Sequence, residues 1–313
     1  MASGPTTLKG FVAAMAVMTV LTFSPLLRSQ NAPQSGAKQS GAKPSAARKN
    51  QEAASDHIYP EPVDYWKQRG AVPAKAWKTG GPAPRHDISG IWDPGEVGIQ
   101  VFGAAAMPDD GKPEHALPFT PAGLDVLNRN KPNSGNRGVL PTENNDPVFT
   151  CDPQGLPRED LYELRTTQIY QTPLKIVMLY TFGRVWRVIW LDGRELPKDP
   201  EPRWYGYSVG KWVDDTTLLV KTTGLDERTW IDRAGRPHSA DLRIEERFHR
   251  VDHDHLELSL TITDPQMYTK PWVALYKMRF ELQPDDFDVR EMICSPSEFL
   301  EYNKLVGDPA SSK

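Results

Sequence analysis

A charged residue stands among apolar ones near the middle of the second half of this 313-residue chain. Glu246 shares one face of a predicted strand, Asp241–Val251, with three apolar side chains: Leu242, Ile244 and Phe248. A buried carboxylate needs an ionic partner, and Arg187 alternates with apolar residues in the same way. We predict that Arg187 and Glu246 pair, either as a structural ion pair or as a functional one, with Glu246 as a general acid or base or as an anchor for a ligand hydroxyl.

His238 is a second candidate for acid–base chemistry. It precedes Ser239 and follows Asp232 by six residues, so the residue types of a catalytic triad lie close together. Adjacent residues rarely bring their side chains within hydrogen-bonding reach of each other. We therefore interpret His238 as a lone general base or as a hydrogen-bonding residue of a loop, and keep Asp232 among the candidate catalytic residues.

Aromatic residues are dense between residues 186 and 272, which hold six of the nine tryptophans. They indicate an aromatic-lined pocket for a small organic ligand, or the large side chains of a small barrel core, and the two are compatible. The candidate ligand-binding residues are Trp186, Trp204, Tyr207, Trp212, Trp230, Tyr268 and Trp272.

Metal-type ligands concentrate at one predicted turn, which contains His249, Asp252, His253, Asp254 and His255. A hairpin tip can bring such ligands together. Charged residues at an exposed turn are also explained by solvation alone, so metal binding by this cluster stays open. We assign no metal site and no cofactor.

The two cysteines, Cys151 and Cys294, are 143 residues apart. That separation excludes a Cys-x-x-Cys redox pair and a compact metal finger. In an oxidising compartment they predict a disulfide, and the alternative is two independent buried thiols.

The elements that position these residues follow a period of two from Leu161 onward, with one face apolar and one polar. Strands are predicted at 88–92, 168–171, 175–182, 184–191, 216–223, 241–251, 256–263, 273–282 and 289–294. Thr120 caps a predicted helix, and Ser295-Pro296-Ser297-Glu298 begins a short C-terminal one. We predict an all-β fold: a single antiparallel meander that closes into a lipocalin-like barrel, with a two-sheet sandwich as the alternative.

The N-terminus has the pattern of a secretory signal. Lys9 precedes an uncharged apolar stretch, 11–27, and Arg28 closes it. An uncleaved membrane anchor and a buried helix are the alternatives, the stretch being just short of the about 20 residues that span a bilayer. The expected organisation is a signal peptide or anchor at 1–32, a disordered linker at 33–56, a proline-rich part packed on the barrel at 57–160, and the barrel with its C-terminal helix at 161–305.

Charge excludes one class of partner. The chain has 37 basic and 41 acidic residues, and residues 1–51 hold six of the basic ones and no acid, so the remainder has a net charge of −10. Such a domain lacks the basic surface that nucleic acid requires. We expect a small-molecule ligand or substrate, no nucleic acid, no membrane contact beyond a possible anchor, and a periplasmic or secreted location, with the oligomeric state open.

A set of motifs runs through the second half of the chain. They are Trp186-Arg187, Leu191-Asp192-Gly193-Arg194, Tyr207-Ser208-Val209-Gly210-Lys211-Trp212, Asp215-Thr216, Thr223-Gly224, Arg228-Thr229-Trp230-Ile231-Asp232, Gly235-Arg236-Pro237-His238-Ser239, Glu246-Arg247-Phe248, Asp264-Pro265, Tyr268-Thr269-Lys270-Pro271-Trp272 and Cys294. Over about residues 87–295 the chain resembles an uncharacterised family of exported bacterial β-rich proteins. The resemblance implies export and assigns no activity. Separately, Gly90-Ile91-Trp92 resembles the Gly-x-Trp of lipocalin first strands.

Two functional hypotheses follow. The first is an exported protein that binds a small organic ligand in an aromatic-lined barrel cavity. The second is a periplasmic hydrolase, lyase or isomerase that needs no cofactor and uses Glu246 and His238 with Arg187.

Export is the first testable expectation. Intact-mass measurement of the protein from periplasm or medium should show a chain shortened by about 22–32 residues, the usual length of a signal. Full-length protein in the membrane fraction would indicate the anchor, and full-length soluble protein in the cytoplasm would contradict export.

Overall fold

Alternating side chains build the strands of this protein. The computed structural model describes residues 80–94, 108–109, 111–133, 135–140, 142–161, 165–307 and 309, all within one compact unit, Gln51–Lys313. The predicted signal peptide and linker lie outside the described residues. No helix in these ranges is long and apolar enough to cross a membrane.

Nine strands form one closed barrel. They are β1 (Gly90–Asp93), β2 (Thr167–Gln171), β3 (Lys175–Tyr180), β4 (Trp186–Trp190), β5 (Tyr207–Trp212), β6 (Thr217–Thr223), β7 (Arg243–Arg250), β8 (His255–Thr263) and β9 (Trp272–Gln283). Each strand pairs with the next along the chain, and β1 closes the barrel on β9, where Trp92 lies opposite Leu282. The predicted all-β barrel is confirmed, and the sandwich alternative is wrong.

One pairing departs from the predicted antiparallel meander. β4 and β5 are parallel, with Ile189 opposite Ser208, while every other neighbouring pair is antiparallel. A parallel pair needs a long connection, and residues 191–206 provide one that returns the chain to the end of the barrel where β4 began. The strand predicted at 289–294 is also wrong, because Met292 there forms only an isolated bridge, to Phe182. The barrel contains β5 instead, a strand that was not predicted from the sequence.

Alternation decides which side chains face inward. In β7 the even-numbered residues from Ile244 to Arg250 are buried, while Arg243, Glu245 and Arg247 are exposed. The same pattern in β3 and β4 buries Ile176 and Ile189. Apolar burial of this kind drives closure, but the inward face also carries polar side chains.

In the described ranges three α-helices accompany the barrel: α1 (Pro121–Arg129), α2 (Arg158–Leu161) and α3 (Pro296–Tyr302). The Thr120 hydroxyl accepts a hydrogen bond from the Gly123 amide at 3.0 Å, which confirms the predicted cap. Gly123 also lets the helix approach the β8–β9 loop, because a Cβ there would lie 2.2 Å from the Met267 carbonyl oxygen. At α3 the predicted cap is incomplete: the Ser295 hydroxyl makes no cap bond and contacts the Ser297 hydroxyl at 3.1 Å.

A disulfide joins Cys151 and Cys294, as predicted, with their Cα atoms 5.4 Å apart. Cys151 follows a 3-10 turn, Pro147–Thr150, and Cys294 lies just before α3. The bond therefore ties the proline-rich part of the chain to the segment after the last strand.

Removing this bond should destabilise the protein. The loop that it closes is long, and the chain-entropy argument gives it about 4–5 kcal/mol of the free energy of unfolding. Urea denaturation of the Cys151→Ala/Cys294→Ala variant should show a loss of that order against the wild type. Non-reducing peptide mapping provides the control, and two freely alkylated thiols in the native protein would contradict the bond.

Candidate functional site

A polar cluster centred on Arg187 occupies the inward face of the barrel. Its Nη1 and Nη2 donate to the two carboxylate oxygens of Glu246, at 2.7 Å for the Nη1–Oε1 contact. Nε donates to the Ser208 hydroxyl at 3.0 Å and Nη2 to the Thr222 hydroxyl at 2.7 Å. Arg187 is 2% exposed and Glu246 0%, so the predicted pairing is present and buried.

Four neighbouring strands supply this cluster. Arg187 comes from β4, Ser208 from β5, Thr222 from β6 and Glu246 from β7. Ser208 lies directly opposite Thr222, and Glu246 lies diagonal to Thr222 across the next pair of strands. The parallel register of β4 and β5 brings Ser208 beside Arg187.

α2 adds an acid that the sequence did not reveal. Asp160 is 1% exposed, and one of its oxygens, Oδ2, has no hydrogen-bond partner among the described residues. Burial, followed by the negative charge of Glu246, raises the pKa of Asp160 to about 8, against the opposing effect of Arg187. At neutral pH Asp160 is therefore mostly protonated and lies beside an ionised pair.

Burial also affects a second acid of α2. Burial raises the pKa of Glu159 well above its usual range, and the Tyr205 hydroxyl donates to Glu159 Oε2 at 3.0 Å. The preceding residue, Arg158, is buried too and forms a bidentate pair with Asp146, at 2.7 Å for the Nη1–Oδ1 contact. The run Arg158-Glu159-Asp160 resembles a solvated turn in sequence, and only the barrel beside it makes it an interior element.

Ser208 belongs to a pattern that the sequence predictions above did not use. Gly206-Tyr207-Ser208-Val209-Gly210 has the Gly-x-Ser-x-Gly spacing of a nucleophile elbow, which needs a sharp turn from a strand into a helix. Here Ser208 lies inside β5, and its hydroxyl contacts Arg187 and, at 2.9 Å, the Thr222 hydroxyl. The strand context therefore gives Ser208 a role in holding Arg187.

The β6–β7 loop (224–242) carries Asp232 and His238 in contacts separate from those of the Arg187 cluster. Asp232 accepts from Arg236 Nη1 at 2.9 Å, and both residues are buried. The ring of His238 contacts the Thr229 hydroxyl through Nε2 at 2.7 Å and the Ser239 carbonyl through Nδ1 at 3.1 Å. Burial lowers the pKa of His238, so the ring is neutral at pH 7.

These contacts do not form a catalytic triad. The hydroxyl of Ser239 donates to Asp264 at 2.8 Å and its amide donates to the same carboxylate at 2.6 Å. A carbonyl acceptor at Nδ1 requires the proton on that nitrogen, and the single proton of the Thr229 hydroxyl lies between two acceptors, His238 Nε2 and the Asp226 carbonyl at 3.1 Å. His238 thus serves as a hydrogen-bonding residue of the loop.

The predicted aromatic residues lie in several places. Trp186 is 65% exposed on the outer face of β4, and Trp212 stacks on His86 with 5.1 Å between ring centroids. Three others lie under arginines: Trp204 under Arg228, Tyr207 under Arg203 and Trp230 under Arg158. The structure brings together Tyr268 and Trp272, at 5.4 Å, with Phe119 5.0 Å from Tyr268 on its other side.

A pocket of about 160 Å³ lies next to this aromatic group. Its apolar wall includes Leu117, Phe119 and Leu127. Its polar lining residues are Asp109, Lys112, His115 and Arg236. We call this space the Asp109 pocket; Phe119 connects it to Tyr268, and Arg236 connects it to Asp232.

The carboxyl of Asp109 is the least satisfied polar group of this pocket. Its Oδ2 is buried and makes no hydrogen bond to any residue that the structure describes. Burial raises the pKa of Asp109 above its usual value, although the charges of Arg236 and Arg137 oppose the rise. A cationic or hydrogen-donating group beside it would offset that cost.

The histidines of the β7–β8 turn pair with neighbouring acids. His255 contacts Asp252 at 2.7 Å, and His253 contacts Asp254 at 2.6 Å. His249 lies 3.8 Å from Glu257. Within the described ranges, no group of three or more histidine, cysteine or acidic residues is arranged to hold a metal ion.

Comparison with known proteins gives no match to a family profile, a curated protein or a solved structure. The family membership indicated by the motifs therefore stays a prediction. The chemistry of the chain rests on the contacts described above.

Breaking the Arg187–Glu246 pair from one side should be costly. Glu246→Gln leaves a buried guanidinium without its counter-charge and should lower the free energy of unfolding by about 3–5 kcal/mol in urea denaturation. The double variant Glu246→Gln/Arg187→Met should recover much of that loss. A single variant as stable as the wild type would contradict the buried pairing.

The protonated Asp160 should make stability depend on pH. Its pKa of about 8 in the folded protein exceeds the unfolded value of about 3.9, so the folded state binds more protons between about pH 4 and 8. Its contribution to stability is therefore complete below about pH 4, falls by up to about 1.4 kcal/mol per pH unit above it, and is lost by about pH 8.

Asp160→Asn keeps the shape of the protonated acid and removes that dependence. Urea denaturation at pH 5, 6.5 and 8 should show the variant gaining stability relative to the wild type at each step. Asp125→Asn, an exposed change on α1, is the control and should leave the pH profile unchanged. Parallel profiles for the wild type and Asp160→Asn would show that Asp160 is ionised throughout.

Proposed function

We propose that this protein is an exported binding protein that holds a small organic molecule in the Asp109 pocket. One observation carries the proposal: a pocket of about 160 Å³ with an apolar wall contains the carboxyl of Asp109, whose buried Oδ2 has no hydrogen-bond partner among the described residues. Binding sites combine apolar walls with a few fixed polar groups in this way. The disulfide is consistent with an exported protein, since such bonds persist in oxidising compartments.

The size of the pocket limits the ligand. A volume of about 160 Å³ corresponds to roughly five water molecules. Drug-sized ligands occupy pockets of about 300–1,000 Å³. The proposed ligand is therefore a small metabolite rather than a steroid or an oligosaccharide.

Rigid neighbours support the pocket. Arg236 is fixed by Asp232 and by the Pro108 carbonyl, at 2.9 Å in each case. Phe119 packs on Tyr268, whose hydroxyl donates to the Pro237 carbonyl at 2.9 Å. Groups held in this way lose little entropy when a ligand binds. The aromatic residues predicted to bind a ligand are outside the described lining of this pocket; Tyr268 contacts the lining residue Phe119, and Trp272 packs on Tyr268.

A second candidate function is acid–base catalysis without a cofactor inside the barrel. The observation that favours it is a protonated Asp160, with a pKa of about 8, beside an ionised Glu246 that Arg187 holds. An acid and a base that coexist near neutral pH can exchange protons with a substrate. In this second candidate function, Asp160 takes the acid–base role that the sequence predicted for His238, because the contacts of His238 lie in the β6–β7 loop. Asp160 and Glu246 are buried, whereas the lining of the pocket includes exposed and half-buried side chains such as Lys112, Leu117 and Phe119, and this favours the first candidate.

A ligand that co-purifies with the full protein tests the proposal. Leu127→Trp on α1 should fill the pocket, while Leu124→Trp places the same ring on the same helix at a position 47% exposed. Mass spectrometry of the denatured proteins should detect a small organic molecule with the wild type and Leu124→Trp, and a loss of more than tenfold with Leu127→Trp.

Other outcomes decide against the pocket. Equal amounts of the molecule in all three proteins would exclude binding there. If Leu127→Trp retains the molecule and Asp160→Asn loses it, the molecule binds inside the barrel, and this would favour the second candidate. A wild type that carries no molecule and shows no thermal shift with a metabolite library would contradict both.

A further inference from the structure

We propose that the Asp109 pocket binds a small neutral alcohol, whose hydroxyl donates a hydrogen bond to the carboxylate of Asp109 and whose hydrocarbon part packs on the apolar wall. The inference rests on the proposed function and adds the chemical class of the ligand. It follows from three features of the site: an acceptor without a donor, nearby charges that already compensate one another, and a small volume with an apolar wall.

The acceptor is the carboxylate of Asp109. This residue lines the pocket, and its Oδ2 is buried and has no hydrogen-bond partner in the described part of the chain. Backbone lies close to the same oxygen, because a Cβ at Gly135 would be 2.6 Å from it, so we place the missing donor in the pocket. An unpaired buried acceptor costs free energy, which a ligand with one donor group recovers.

The two arginines near Asp109 already have partners. Arg236 donates to the carboxylate of Asp232 and to the Pro108 carbonyl, at 2.9 Å in each case. Arg137 donates to three backbone carbonyls. A ligand carboxylate would have to compete with these bonds and would lie beside Asp109, which repels it. These contacts therefore disfavour an anionic ligand.

The charges of this region also disfavour a cationic ligand. Burial raises the pKa of Asp109, and the positive charges of Arg236 and Arg137 oppose that rise. Burial lowers the pKa of Arg137, and the negative charge of Asp109 opposes that fall. With Asp232 paired to Arg236, these two acids and two arginines compensate one another. An ammonium group would add a positive charge next to Arg236, which offsets its attraction to Asp109.

A hydroxyl group supplies the donor without adding a charge. It carries a single O–H donor, which matches a single unpaired oxygen of Asp109. A hydrogen bond to a charged acceptor changes a dissociation constant by about tenfold or more. The hydroxyl therefore distinguishes an alcohol from a hydrocarbon of the same shape.

The wall and the volume set the rest of the ligand. Leu117, Phe119 and Leu127 form the apolar wall. The pocket volume of about 160 Å³ is close to the roughly 150 Å³ of an apolar cavity that holds benzene, which has about six non-hydrogen atoms. A branched chain of about five carbons with one hydroxyl has the same size.

Four probes that share a 2-methylpropyl group and differ at one end test the inference on the full protein. They are 3-methylbutan-1-ol, the cation 3-methylbutylamine, the anion 3-methylbutanoate, and 1-fluoro-3-methylbutane, which is neutral and has no donor. NMR titration at pH 7 of protein with labelled leucine methyl groups should show the alcohol shifting the signals of Leu117 and Leu127. Its dissociation constant should be at least tenfold lower than that of each other probe.

A variant connects this preference to Asp109. Asp109→Ala removes the acceptor, so the ratio of the dissociation constants of the fluoride and the alcohol should fall from at least ten to about one. The matched control Asp125→Ala, exposed on α1, should keep the wild-type ratio. If Asp109→Ala fails to fold, the four probes on the wild type carry the test, and a ratio near one there overturns the inference.

The results separate this inference from the proposed function. An amine or a carboxylate that binds as tightly as the alcohol would overturn the neutral ligand and leave a binding pocket in place. Failure of all four probes, with the co-purifying molecule still lost from Leu127→Trp, would overturn the ligand class alone. If Leu127→Trp retains that molecule, the proposed function falls and the inference falls with it.

Discussion

The guanidinium group of Arg187 lies inside a closed barrel, where each of its N–H groups needs an acceptor from the protein. Glu246, Ser208 and Thr222 provide acceptors from β7, β5 and β6, so four consecutive strands meet at one side chain. A shift of one residue in any of these strands would turn its polar group outward and leave at least one N–H group of the cation without an acceptor. Apolar packing would tolerate such a shift far better, because one aliphatic side chain can replace another. The register of half the barrel therefore depends on this group.

The interior treats its acids in two different ways. Glu246 is paired with Arg187, while burial raises the pKa values of Glu159 and Asp160, both from α2. One buried cation can compensate one buried anion, and further acids in the same space must be neutral. In the Asp109 pocket the balance differs, since Lys112 and Arg236 lie beside Asp109 in the described lining. The charges of Arg187 and Glu246 thus compensate each other inside the barrel. In the pocket, by contrast, Asp109 Oδ2 has no hydrogen-bond partner among the described residues.

Patterns of period two were enough to predict the barrel, the pairing of Glu246 with Arg187 and the turn between β7 and β8, because each depends on local alternation. The parallel β4–β5 pair was not predictable in that way: its register depends on how the 191–206 connection crosses the barrel. Asp160 and Asp109 were missed for a related reason. Both lie in the proline-rich part, where no period marks a buried face, and only distant contacts bury them.

The closure of β1 on β9 has a consequence for the time course of folding. These strands are separated by most of the described chain, and the disulfide also joins distant positions. Proteins dominated by such long-range contacts fold slowly, since the entropy of loop closure is lost before the contacts form. A ribosome must release the last strand before the barrel can exist at all. An unfolded chain of this kind stays available to a translocation channel, so late closure and export are physically compatible.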